Sequence, residues 1–171
     1  MRSIDLRASI RQEKPFRSEE TELFLSFLFT VDRVKEIALA PLAEHRLSGE
    51  QYNVLRILRG AGPAGLPTYQ VGERMVARAP NITRLVDKLE RKGLLERVRS
   101  EEDRRVTLLR IVPAGVRLLL ELDTPMLEST RHAMQGLSPE ESAQLLDLLE
   151  KLRRPLRSAN EQGEGGTKRE E

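Results

Sequence analysis

The 171-residue chain contains no cysteine and no tryptophan, and only two histidines. Without cysteine there can be no disulfide, no thiolate nucleophile and no cysteine-based redox sensor, and a reducing compartment is permitted. His45 and His132 lie far apart in sequence, and no cysteine joins them in the convergent ligand set that metal sites need. No metal and no other cofactor is therefore expected. The sequence also lacks a nucleophile elbow, a phosphate loop and an HExxH pair, so the expectation is a protein that is not an enzyme. No apolar run approaches the roughly 20 residues of a membrane span. The opening stretch MRSIDLRASIRQEKPFR is charged throughout and has no apolar leader core. A cytoplasmic protein with no membrane partner is expected. Aromatic residues make up only 4% and leucine dominates the apolar set, a mixture that favours helices over a β-sandwich.

The net charge is only +2, but positive charge is unevenly placed. Arg74 to Arg110 holds eleven Lys/Arg against six Asp/Glu, or +5; the remainder carries 29 − 11 = 18 against 27 − 6 = 21, or −3. Concentrated positive charge attracts phosphate without making a protein basic throughout. A solvated helix face and hairpin would produce the same count.

Hydrophobic periodicity divides the chain into a flexible arm over 1–17, a folded region over 18–158 and a disordered tail over 159–171. Ser18 can cap a first helix of about 25 residues. Its stripe runs through Leu23, Phe24, Phe27, Leu28, Val31, Val34, Ala38 and Leu42. So apolar a face wants more cover than one small domain supplies, which points to a subunit interface. Ser48 and Gln51 form a capping box ahead of Tyr52, Val54, Leu55 and Leu58. Thr68 can cap a short helix with Val71 and Met75 inward. Pro80 then suits the first turn of another helix, whose inward stripe is Ile82, Leu85, Val86 and Leu89 and whose end is Gly93. After Gly93 the pattern becomes that of a β-hairpin with a charged tip. Pro113 reopens a helix in which Pro125 must cause a kink or a restart capped by Thr124. Ser138 and Glu141 make a second capping box before a leucine-rich last helix, while His45 suits the negative end of the first one.

Two short helices leading directly into a hairpin describe a winged helix-turn-helix. The expected fold is mainly α with a small β-hairpin wing, its DNA-binding core spanning about 48–112, with N- and C-terminal dimerisation helices. The helix after Pro80 can enter a major groove, where an α-helix fits. Its inward stripe leaves Asn81, Thr83, Arg84 and Lys88 outward, with Arg78 just before it, and Asn and Arg suit adenine and guanine edges. Arg99, Arg104 and Arg105 at the hairpin would reach the backbone or the neighbouring minor groove.

ITRLVDKLERKGLLERVRSEEDRRV over 82–106, the D-x-R of Asp103-Arg104-Arg105 and VPAG over 112–115 resemble the multiple antibiotic resistance regulator (MarR) family of bacterial transcription factors. The helix order agrees from about Ser18 to Leu156. The resemblance implies a homodimeric, double-stranded-DNA-binding repressor acting on a pseudo-palindromic operator, with first and last helices intertwined. It also implies that Asp103 pairs with Arg105 to brace the wing, and that Arg105 enters or borders the minor groove. Two positions depart from the family pattern. Ala79 stands where a Ser or Thr often precedes Pro80, and Val112 where Thr usually precedes Pro113; each forfeits a cap worth about 1 kcal/mol. Ala79 also removes a phosphate anchor, which Arg78 can replace. Related regulators hold a small-molecule effector between the dimer helices and the winged domain, a region that here would draw on Phe27, Val31, Tyr52 and Leu55. Ordinary core demands the same residues and is the stronger reading of them. The alternative function is a winged-helix interaction or dimerisation scaffold that does not bind DNA.

Overall fold

A computed structural model describes residues 4–77, 80–100, 103 and 105–163. They form two compact units, divided in sequence between Ala133 and Met134.

The first unit is mostly helical. A short helix α1 (Ile4–Ser9) falls inside the segment expected as an arm. Its Leu6 is buried, and the Arg7 guanidinium donates to the carbonyls of Gln12 and Glu13, a local closure that periodicity does not reveal. Helix α2 (Glu19–Ala38) starts where expected, with Ser18 Oγ accepting from the Thr21 N–H and Glu19, Glu20 and Glu22 in the positive first turn. It stops short of the expected Leu42. Pro41 disfavours helical geometry at the preceding residue, and the chain tightens into a 3-10 turn over Ala40–Leu42.

Helix α3 (Gly49–Ala61) carries both bonds of the capping box, Gln51 N–H to Ser48 Oγ at 3.2 Å and Ser48 N–H to Gln51 Oε1 at 3.1 Å. Strand β1 (Leu66–Pro67) was not expected. It pairs antiparallel with β3 (Thr107–Ile111), which pairs on its other side with β2 (Leu95–Arg99), so the hairpin is part of a three-stranded sheet ordered β1-β3-β2. Gly65 makes the third strand possible. It has φ +72°, and a Cβ there would stand 2.5 Å from the Leu109 carbonyl oxygen; only glycine lets the two backbones approach so closely.

Helix α4 (Thr68–Glu73) has Pro67 at its cap position, so Thr68 is its first residue and does not cap it by a side-chain hydrogen bond. The helix also ends before Met75, which still packs on the core. Helix α5 (Ile82–Arg91) closes on Gly93 at φ +67°, with Gly93 N–H to Glu90 O and Leu94 N–H to Leu89 O. Helix α6 (Pro113–Met134) runs through Pro125 without a restart, and Thr124 is interior to it. Near its start, a Cβ on Gly115 would lie 2.3 Å from the Leu94 carbonyl oxygen, so α6 rests directly on the backbone that opens β2.

The core gathers Leu55, Leu58, Val71, Val86, Leu89, Leu109 and Leu119 from α3, α4, α5, β3 and α6. Helix α2 contributes no buried residue. The second unit contains α7 (Pro139–Gly163), opened by the expected Ser138–Glu141 capping box. The helix continues past the boundary read at residue 158, and residues 164–171 lie outside the described residues. No described helix is long and apolar enough to cross a membrane.

One ion pair ties α3 to α6. Arg59 Nη1 and Nη2 donate to the two Asp123 carboxylate oxygens, at 2.8 and 2.9 Å, and these hydrogen bonds hold the Asp123 carboxyl below its ordinary pKa. The Asp123 side chain is 40% exposed, so screening limits such a pair to roughly 0–1 kcal/mol. A depressed folded pKa means that this stability is present above the unfolded value, about 3.9, and lost as pH falls through the folded one. Urea unfolding should therefore find Asp123→Asn less stable than the parent by up to about 1 kcal/mol at neutral pH, with the difference closing in acid.

Candidate nucleic-acid interface

Burial of Val86 and Leu89, with Ile82 half-buried beside the core, fixes the rotation of α5 about its axis. The opposite side is consequently in solvent, where Thr83, Arg84 and Lys88 are exposed together with Pro80 and Asn81 before the helix. These five expected contact residues share one end or one outward face of α5. Asn81 differs in one respect from its expected role as a base reader. It is the N-cap, and its Oδ1 accepts from the Arg84 N–H at 3.1 Å. That bond uses the carbonyl oxygen, and the side-chain NH2 is all that remains to donate. Pro80 precedes the cap and is not in the first helical turn. Arg78 and Arg104, and Ala79 with them, lie outside the described residues.

At the wing, Ser100 N–H donates to Val106 O and Val106 N–H to Asp103 O, both at 2.9 Å. Asp103 Oδ1 accepts from the backbone N–H of Arg105 at 2.9 Å, and Asp103 N–H donates to Ser100 Oγ. Asp103 thus shapes the turn through the main chain. Among the described residues no ion pair joins it to the Arg105 guanidinium, in contrast to the pairing implied by the family resemblance. Arg99 and Arg105 are both exposed.

Several other cations of the basic segment are engaged internally. Arg97 on β2 donates to Asp87 Oδ1 at 2.6 Å and to Glu90 Oε2, both on α5. Burial works against its charge, but the hydrogen bond with Asp87 and the charges of Glu90 and Asp87 outweigh it, and its pKa lies above the ordinary value. Lys92 Nζ donates to the Arg46 carbonyl at 2.6 Å, holding a loop residue whose φ is +52°. Arg91 Nε reaches the Asp87 carbonyl at 3.3 Å. A sequence count cannot separate these from free cations. The one available signal was the i, i+3 spacing of Asp87 and Glu90, which puts two carboxylates on neighbouring turns.

Of the four residues suggested for an effector crevice, Tyr52 borders a cavity. That cavity has a volume of about 550 Å³ and is bordered by Lys35, Leu39, Tyr52, Arg56, Ile57 and Met75, among others. Tyr52 accepts from Arg56 Nη1 at 3.0 Å, and the guanidinium lies 5.7 Å from its ring centre. Leu55 is fully buried in the core, Val31 is half-buried, and Phe27 is exposed on α2. His45 and His132, distant in sequence, both border a second cavity of about 750 Å³ with Glu36 and Glu44. Among the described residues no three potential donors are placed to hold a metal ion.

The cap assigned to Asn81 separates folding from recognition. Asn81→Ala should cost about 1 kcal/mol in urea unfolding, whereas Asn81→Ser should keep the cap and cost only a few tenths, roughly. Equal stability of the two variants would remove the capping role.

The MarR family model matches residues 47–107, the stretch from α3 through the wing. An uncharacterized HTH-type transcriptional regulator of Bacillus subtilis, YkoM, is 31% identical over 140 residues, which cover 80% of this chain and 90% of that protein. A MarR transcription factor from Planctomyces limnophilus is 37% identical with a TM-score of 0.61, over 80% of this chain and 98% of that one. MepR of S. aureus, solved as a DNA complex, is 25% identical with a TM-score of 0.65, over 74% and 94% of the two chains. With the outward cationic helix, the wing and these likenesses together, the chain belongs to the MarR family of DNA-binding transcription regulators.

Proposed function

We propose that the protein is a homodimeric repressor that binds a pseudo-palindromic operator. The observation that carries this reading is the apolar surface left uncovered on α2: Leu23 is 68% exposed, Phe24 59%, Phe27 43% and Leu28 48%. A row of large apolar side chains in water is costly, and a second copy of the same helix is a chemically matched cover. In the second unit, Leu146, Leu148, Leu152 and Leu156 are likewise exposed along α7. A dimer presents α5 twice, and half-sites should lie about one helical turn apart, roughly 34–36 Å. Thr83, Arg84 and Lys88 then face base edges or phosphates, while Arg99 and Arg105 of the wing follow the adjacent backbone or minor groove. Arg78 and Arg104 are proposed to join them on sequence grounds. Occupation of an operator by such a dimer excludes other proteins from that DNA, which is the simplest route to repression.

The cavity at Tyr52 and Arg56 supports a subordinate reading, release by a small-molecule effector. It lies between α2, α3 and the link that follows α4, so an occupant would touch both the dimer helix and the DNA-reading segment.

Selection of bound duplexes from a random pool tests the main reading. An inverted repeat should be recovered, and the protein should sediment as a dimer. Arg105→Ala should leave the dimer folded and lower the slope of log affinity against log salt by about 1 per site lost. A monomer would overturn this reading, and a dimer that ignores duplex DNA at low salt would favour the scaffold alternative.

A further inference from the structure

Strand β2 alternates, and its Leu95 points into the core between the sheet and α5. Arg97 is two residues along the same strand and therefore on the same face. Its guanidinium reaches α5 one layer out from the core, where it meets Asp87 and Glu90 at once. The side chain is only 29% exposed, and the two carboxylates 49% and 39%. The two acids sit on successive turns of the helix that also carries Arg84 and Lys88. Arg99, next on the same face, is exposed near the wing tip.

Two consequences follow from this placement. A forked guanidinium held by two carboxylates on one helix fixes an angle as well as a distance, because its donors are coplanar and rigid. Beside this bridge, the recognition helix and the wing are joined through the short Gly93 turn and apolar contacts, which resist sliding weakly. Second, Asp87 and Glu90 are the acids of α5, and unpaired they would present negative charge beside Arg84 and Lys88 where phosphate must approach. Arg97 compensates them without itself facing outward.

We propose that Arg97 is a positioning residue for DNA recognition: by holding Asp87 and Glu90 it locks the angle between α5 and the wing, so that both engage one duplex in register. The proposal rests on the DNA-reading role of α5 and deepens it, since none of the three residues need touch DNA.

Charge alone and positioning predict opposite signs for one variant. Asp87→Asn combined with Glu90→Gln makes the surface more positive. Retention on bulk DNA at low salt should rise, while affinity for the duplex selected by the wild-type protein should fall about three- to tenfold, the range in which residues that act through others shift binding. A parallel rise in both affinities would overturn the proposal and leave Arg97 as a charge partner only. Arg97→Lys keeps the charge but cannot span both carboxylates. It should leave bulk-DNA retention unchanged and still lower the ratio of selected-duplex to bulk affinity; a full wild-type ratio in this variant would also overturn the proposal. Hydrogen exchange on the free protein decides the brace independently of any DNA. Amides of α5 and β2 should exchange faster in both variants with α3 unaffected, and unchanged exchange would sink it. A wild-type protein that selects no duplex would instead defeat the DNA-binding reading, and the exchange comparison would still decide whether the brace exists.

Discussion

Burial of Val86 and Leu89 against the sheet and α3 is the packing on which the rest of the molecule depends. A helix with two fully buried side chains one turn apart cannot rotate about its axis without exposing them, at a cost of about 1.5–3 kcal/mol for each large apolar group. Once that rotation is set, Thr83, Arg84 and Lys88 have no choice but to face solvent. The outward cationic surface is thus a by-product of the core. The close backbone contacts at Gly65 and Gly115 serve the same end, pressing β1 onto β3 and α6 onto the start of β2 so that the sheet under α5 has little room to shift.

Charge is the second organising factor, and its distribution is less generous than a count suggests. The segment from Arg74 to Arg110 has an excess of +5, yet Arg97, Lys92 and Arg91 commit hydrogen bonds to Asp87, Glu90 and main-chain carbonyls. Arg110 is drawn inward too, its Nε buried without a hydrogen-bond partner among the described residues. Among the exposed members, Arg84, Lys88, Arg99 and Arg105 lie on the helix and the wing.

The helices outside the winged core complete the picture. Helix α2 buries none of its residues within the first unit despite three phenylalanines, and α7 exposes a row of leucines in the second. The Arg59–Asp123 pair and the bond from Ser129 Oγ to the Ala38 carbonyl tie α6 to α3 and to the end of α2. In the proposed dimer, these links would transmit any shift of the dimer helices to the helix-turn-helix.

Much of this was legible from residue order alone. The capping boxes at Ser48 and Ser138, the inward stripe of α5, the left-handed end at Gly93 and the hairpin all depend on neighbours within a few positions, where local geometry decides the outcome. The family signature in 82–106 rests on the same short-range pattern. Less legible were the features that need partners distant in sequence. Strand β1 exists only because β3 offers it an edge, and Thr68 loses its expected capping place to a chain direction set by that pairing. Asn81 reads as a base reader from the sequence, and its capping role emerges only once the helix start is located. Periodicity and composition therefore determined the order of the main helices and the hairpin, the core face of α5 and the basic segment, but not α1 or β1. Tertiary structure alone decided which cations remain free and how the wing is held to α5, because an ion pair depends on distances across folded elements and not on spacing along the chain.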